Sequence, residues 1–412
     1  MRKHPSRKAP ASRLGASLLA GGLALALPLA LAGCGSRGEE GGSGDATTLK
    51  IGFDAPLTGP LSAVGLGMRH SAEQAVKDAN AKKIVPGVTF ELVSKDDQGT
   101  PSIGQQNAGA FVADKDLVGV VGAYNSSVSQ SMQPTLAAAN ILQVSGANTN
   151  PTLTRGPKDE EAPARQYKTY FRTVTTDANE APELSKYLVE KLKVKEVATV
   201  NDGKVYGQGV VTKFAAAFTK AGGKVVVKQQ IGEKDTDFSA VVSNIKNSGA
   251  KAVVYGGEYP QAGPLSKQLK AAGAKIPLLG CDAVYDEQFI KLAGAAAEGD
   301  VTTTAAKPIG DTPAQQQFIA AYKAAGHAEP YGIFGPYTYD ATMTIINSVK
   351  ATADGNGGTV PDAKELRAKV TEAAQKLTFE GLTGTIAFDE FGDNKNHSVT
   401  LNIVKDGEWT VM

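Results

Sequence analysis

From Leu49 to Asp282, short apolar runs rich in Val, Ile and Leu alternate with Ala-rich amphipathic stretches. LKIGFDAPL opens the series as a strand, and Met68, Ala72, Ala75, Val76 and Ala79 recur at helical spacing within 66–80. VTFELVSKDD is the next strand and 102–113 the next helix. LVGVVGAY is apolar at nearly every position, which predicts a strand covered on both faces, as in a parallel sheet. A helix at 129–139 and the strand ILQVSGA follow. The pattern resumes with helix 180–192, EVATVND, helix 207–221, KVVVKQQI, helix 238–248, AKAVVYGG, helix 261–272 and IPLLGCD. Parallel neighbours need long crossovers, so the alternation predicts an α/β fold of two doubly wound parallel sheets with helices on both faces.

The break between the sheets is expected near 170–180, after a charged, proline-bearing stretch without periodicity, TRGPKDEEAPARQYKTYFR (154–172). ATADGNGGTVPDAKE (351–365) reads as a Gly-rich turn before a helix at 362–376. IAFDE, SVTLNIVKDG and EWTV near the end alternate like antiparallel strands. In doubly wound sheets ligands bind beyond the carboxyl ends of the strands. That rule singles out GAYNSS, SGANT, VNDGKVYG, YGGEY and GCDAVYD, all of which place polar or aromatic groups after a strand.

The chain's 412 residues are comfortable for two domains, and the 42% hydrophobic share supports large cores. Charge is near balance, but Arg2, Lys3, Arg7, Lys8 and Arg13 all precede the first apolar run, so the body is mildly acidic and nucleic acid is excluded as a partner by bulk electrostatics. The basic flank, the apolar run 14–32 and LAGC at 31–34 have the layout of a signal peptide. A retained transmembrane helix is the competing reading, weakened by Gly21, Gly22 and Pro28. LAGC resembles the bacterial lipobox, which implies cleavage after residue 33, lipidation of Cys34, and a tether over 34–48. The expected address is the outer face of the bacterial cell membrane. With Cys34 so used, Cys281 is left alone, without an intramolecular partner, as a small buried hydrophobe. His4, His70, His327 and His397 show no metal-binding spacing, so neither a metal nor another cofactor is expected.

The ordered set LTGPLSAVG, EQAVKDANAKK, KDDQGTP, NPTLTRG, YGQGV and YGGEYPQAGPL resembles the branched-chain amino-acid (Leu/Ile/Val-type) periplasmic binding proteins across nearly all of 49–410. The resemblance implies a type I binding-protein fold with three hinge crossovers. One lobe would comprise 49–176 and 305–398, the other 177–304 and 399–412. It implies that Ser126, with Ser127 beside it, and the Ala147-Asn148-Thr149 loop hold the ligand's α-carboxylate and ammonium. Tyr206 and Asp282 would close from the second lobe, Asp282 opposing the ammonium, with Tyr124 and Phe334 in the side-chain pocket. Glu258 stands where relatives often carry an aromatic ring, as does Val64, and Asp282 is one methylene shorter than the usual glutamate. Glu258 therefore either joins the cleft or points outward while Tyr259 turns in.

The resemblance further implies a monomer that delivers a branched-chain or similar small amino acid to the permease and ATPase of an ABC importer. Each assignment has a plainer competitor: Ser126, Ser127 and Thr149 as helix caps or turn residues, Tyr206 as packing, Asp282 as a strand-end turn acid. Other solutes remain open, namely an amide, a urea-like molecule or an aromatic acid, as does a solute-sensing receptor component. A sugar-operator repressor would need a DNA-binding helix pair where the leader stands. With no P-loop, no G-x-G-x-x-G fingerprint and no G-x-S-x-G elbow, an enzyme is not expected.

Overall fold

The computed structural model describes residues 47–305 and 308–412; the leader and Cys34 lie outside them. The first part of the chain runs β1 (Thr47–Ala55), α1 (Ser62–Ala81), β2 (Val88–Asp96), α2 (Pro101–Ala113), β3 (Leu117–Gly122), α3 (Ser126–Ala138), β4 (Leu142–Ser145), α4 (Thr152–Arg155) and β5 (Tyr170–Arg172). Its five strands form one sheet in the order β2-β1-β3-β4-β5, every pair parallel. A register shift where β3 meets β1 sends Leu117 and Val120 toward Phe111, Met132 and Leu136, and Val118 and Val121 toward Met68, Ala72 and Ile345. Both faces are thus covered, which is why β3 carries no polar side chain.

The second part runs α5 (Asp177–Lys186), β6 (Glu196–Asn201), α6 (Val205–Lys220), β7 (Lys224–Gln230), α7 (Ser239–Ser248), β8 (Val253–Gly256), α8 (Tyr259–Ala271), β9 (Leu278–Gly280), α9 (Glu287–Ala293) and β10 (Val301–Thr304). The chain then returns to the first sheet through α10 (Pro313–Ala325), α11 (Phe334–Gly355) and α12 (Ala363–Lys376), and α11 packs on α1, β3 and β4. A two-stranded ribbon follows, β11 (Thr378–Gly381) and β12 (Gly384–Ala387), before β13 (Thr400–Lys405) and β14 (Glu408–Val411). The second sheet has the order β14-β13-β10-β9-β8-β6-β7, parallel from β10 to β7 and antiparallel at β13 and β14. Alternate residues again face opposite cores: Val197, Val254 and Leu279 pack with Phe214 and Phe218, and Ala198, Val253 and Leu278 with Ile245 and Leu265.

The chain therefore passes between the sheets three times: after Arg172, after Thr304 and before Thr400. Arg172, fully buried, ties two of these passages together. Its guanidinium donates to Asp393 Oδ1 at 2.8 Å, to the Asn148 carbonyl at 2.7 Å and to Thr154 Oγ1 at 2.8 Å. Asn394 Nδ2 donates to the Thr173 carbonyl at 2.7 Å beside it.

Three elements differ from the sequence expectation. α11 continues through Gly355, so only the residues after it form the Gly-rich turn; the buried face that ends with Thr352 and Ala353 carries the helix past its polar tail. The stretch 154–172 ends in β5, whose Tyr170, Phe171 and Arg172 are all buried. IAFDE contributes β12, which pairs with β11 and joins neither large sheet, whereas the other two C-terminal segments complete the second sheet.

Candidate functional site

The carboxyl ends of β3 and β4 on one side, and of β6, β8 and β9 on the other, face each other across the seam between the sheets. A cavity of about 230 Å³ of empty space, its open mouth included, lies there. Tyr124, Asn125, Ser126, Ala147 and Phe334 line it from the first sheet's side, and Tyr206, Glu258, Asp282 and Ala283 from the second.

All the lining residues but Phe334 stand in short turns after strands or in the first helical turn that follows. After β3, Asn125 caps α3 and Ser126 is its first residue, so the positive end of that helix opens on the cavity. After β4, Ser145 Oγ donates to the Ala123 carbonyl at 2.9 Å and accepts from Ala147 N–H at 3.2 Å and Asn148 N–H at 3.0 Å, locking the two loops together. On the opposite side α6 comes so close to the end of β8 that a Cβ on Gly256 would stand 2.1 Å from the Gly207 carbonyl oxygen. Glycine at both positions permits that approach and brings Tyr206, in the first turn of α6, to the wall. Phe334 opens α11 and meets Tyr124 edge-to-face at 5.4 Å between ring centroids.

Asp282 lies in the wall and is almost wholly shielded from solvent. Its Oδ1 accepts from the Tyr206 hydroxyl at 2.9 Å and from Ala283 N–H at 2.8 Å, while Oδ2 receives no donor. Burial drives its pKa up to about 7, against the pull of those two donors and of the neighbouring Glu180. Behind it, Glu180 is raised by burial and then by the charges of Asp282 and Asp177, and Asp177 is raised to about 7 by burial. The Thr149 hydroxyl and the Asp177 carboxyl are neighbours without a hydrogen bond of normal geometry. Burial, then Glu258, then Asp282 push the Tyr124 hydroxyl well above its usual range, so both acids are felt at that ring.

Glu258 caps α8 and bridges the seam. Asn125 Nδ2 donates to its Oε1 at 2.6 Å and Lys204 Nζ to its Oε2 at 3.0 Å. Burial opposes the Lys204 charge, but Glu258, Glu233 and Asp202 outweigh it and hold the ammonium above its ordinary value. Tyr259 does not replace Glu258 in the cavity: its hydroxyl donates to the Pro60 carbonyl at 2.7 Å, a second tie across the seam. A third runs from Asn150 Nδ2 to the Val205 carbonyl at 2.7 Å, and Lys213 on α6 pairs with Asp159 and Glu160.

Of the residues singled out in the sequence, Tyr124, Ser126, Ala147, Tyr206, Glu258, Asp282 and Phe334 meet at this cavity. Ser127, Asn148 and Thr149 stand off its wall. Asn148 is occupied structurally, donating to the Tyr124 carbonyl at 2.6 Å and accepting from the Tyr170 hydroxyl at 2.9 Å. Asn125, Ala283 and Lys204 were not singled out. Asn125 lies within GAYNSS, whose cap position was the available signal; nothing local marks Lys204, because its partner is 54 residues away. Cys281 is buried and unpaired. Among the described residues no group of three or more His, Cys, Asp or Glu is arranged to hold a metal ion.

Residues 48–408 match the family described as periplasmic binding protein. A leucine-, isoleucine-, valine-, threonine- and alanine-binding protein of Pseudomonas aeruginosa is 31% identical over 356 residues, 86% of this chain and 90% of that protein. The crystal structure of a leucine-binding protein from Thermotoga maritima superposes with a TM-score of 0.77 at 26% identity, covering 88% of this chain and 97% of that one. A solute-binding protein of an ABC transporter from R. palustris, in complex with benzoate, shares the fold with a TM-score of 0.75 at 22% identity, over 89% and 95% of the two chains.

Proposed function

We propose, since this chain belongs to the periplasmic binding protein family, that it captures a small amino acid by closing two lobes around it and delivers it to an ABC importer. The carrying observation is the pairing of opposite chemistries across one small cavity. On one side stands the N-terminus of α3 with Ser126, on the other the buried Asp282 carboxyl. A zwitterion fits both: its carboxylate meets hydroxyl and backbone donors, and its ammonium meets an acceptor that burial has deprived of water. The ring faces of Tyr124 and Phe334 take the rest of a small side chain. The P. aeruginosa relative, named for binding leucine, isoleucine, valine, threonine and alanine, supports a ligand of this size.

The lobes are 49–176 with 305–398 and 177–304 with 399–412, hinged at the three passages between the sheets. A ligand touching both sides favours the closed form because only that form offers it both sets of contacts. Ser127, Asn148 and Thr149 then act behind the wall, holding its loops, while Ser126, Tyr206 and Asp282 meet the ligand. Lipidated Cys34 and a tether ending where β1 begins at Thr47 keep the monomer on the outer face of the membrane, beside the permease and ATPase. A calorimetric screen of the twenty common amino acids and benzoate tests the reading: at least one small amino acid should bind with micromolar or tighter affinity, about −8 kcal/mol. Binding of benzoate alone would reject it. Cys34→Ala should release the chain from the membrane fraction, and persistence there would reject the lipid anchor.

A further inference from the structure

Glu258 is half of a wall with a cavity on either side of it. Besides lining the cavity described above, it lines a second one, about 310 Å³ of empty space with its open mouth included, together with Thr58, Leu61, Gln98, Lys204 and Gln261. The partition is fixed from three directions: Asn125 Nδ2 holds one carboxylate oxygen, Lys204 Nζ the other, and Glu233 in turn holds Lys204 at 2.9 Å. A carboxylate accepts only, so the Asn125 amide has one orientation, with its NH2 group toward Glu258. Glu258 thus presents a fixed carboxylate to the cavity.

We infer that Glu258 is the specificity-determining residue of the cavity and selects a short side chain bearing a neutral hydrogen-bond donor, a hydroxyl or a carboxamide. This rests on the amino-acid reading above and narrows it. A carboxylate has about four lone-pair sites, and Asn125 and Lys204 use two of them. Closure over a hydrocarbon strips water from the remaining sites and returns nothing. Closure over a hydroxyl or amide N–H replaces that water. A cationic side chain is disfavoured, because it would have to sit beside Lys204, whose ammonium is 3.0 Å from the same carboxylate. An anionic one meets Glu258 itself.

Threonine and valine are isosteres that differ by this donor alone, and asparagine and leucine form a second pair of similar size. Titrated into the full chain in detergent, after unfolding and refolding to remove carried-over ligand, threonine should bind about 10- to 100-fold more tightly than valine. Asparagine should likewise exceed leucine. Glu258→Leu should erase or reverse both preferences. Lys204 keeps Glu233 in that variant, and a melting curve verifies its fold; Glu258→Gln, which retains an acceptor, should keep part of the preference. Valine equal to or tighter than threonine in the native chain, tightest binding of a charged side chain, or a Thr/Val ratio unmoved by Glu258→Leu would each overturn the inference while leaving amino-acid capture standing. Silence from every amino acid in a chain that melts cooperatively would overturn the capture reading, and this one with it.

Discussion

Replacing Asp282 by Asn separates the charge of the cavity wall from its shape. The native carboxylate has two donors on one oxygen and none on the other, with Glu180 as its neighbour. Removing an acid that faces a closed-in ammonium should cost about 2–5 kcal/mol of binding, roughly 30- to 4000-fold in Kd. The fold should respond with the opposite sign. An acid whose folded pKa lies above its ordinary value favours folding only while protonated, so its contribution is present below the ordinary 3.8 and lost as pH rises through about 7. At pH 8 the native carboxylate therefore costs the ligand-free fold ~4 kcal/mol against a group that never ionises. Asparagine retains an acceptor for Tyr206 and the Ala283 N–H and offers its NH2 to Glu180. The ligand-free variant should melt a few degrees higher at pH 8 while losing the ligand. Calorimetric titration with the best amino acid from the screen, beside scanning calorimetry without ligand, reads both. Unchanged affinity would remove Asp282 from the site, and a lowered melting point would show that the variant lost ligand by losing its fold.

Burial holds Asp282 and Asp177 at about 7, so the affinity for an amino acid should fall as pH drops from 8 to 5.5, by up to about tenfold per unit below 7. Binding near pH 7 should accordingly release protons, seen as heats that differ between buffers of different ionisation enthalpy; a flat pH profile with no proton release would contradict the ammonium–Asp282 pairing. Arg172→Met should cost about 3–5 kcal/mol in urea unfolding, since it leaves a buried carboxylate and two further acceptors without their donor. The lower end is expected because Arg155 still pairs with Asp393 at 2.9 Å, and a loss under ~1 kcal/mol would show that the passages are not tied through Arg172.

The parallel sheets were legible because strands covered on both faces are apolar throughout, and β3 is the clearest instance. The turns after them were legible because polar residues stand where a strand ends and a helix begins. α11 was harder to read: its interior holds Thr338, Asp340, Thr342, Thr344 and Ser348, all buried, which blurs any apolar stripe. Those hydroxyls are satisfied within the helix, each bonding to the carbonyl four residues back, an arrangement no periodicity reveals. At the site, single strand ends announced Tyr206, Glu258 and Asp282, but not their partners. Whether Glu258 faces the cavity depends on Asn125, 133 residues earlier in the chain, and on Lys204, and pairings of that length become visible only when both sheets are in place.

Orphaned polar groups are rare in a folded interior, and where they gather, folding stability has been traded for something else. Here both oxygens of Asp177, one of Glu180, one of Asp282 and the Thr149 hydroxyl make no hydrogen bond of normal geometry, although Thr149 neighbours Asp177 and Glu180 neighbours Asp282. Among the described residues no lysine or arginine hydrogen-bonds to the three acids; their donors are the hydroxyls of Tyr206 and Thr303 and a backbone N–H. Burial meanwhile raises all three pKa values. Protons on these acids would relieve that deficit, and on the proposed reading an ammonium held at Asp282, the one of the three that lines the cavity, would take the place of a proton there. On the proposed reading, loading exchanges a proton on Asp282 for the ligand's ammonium. Such an exchange would give the buried acid a use that a hydrocarbon wall, which would fold better, lacks.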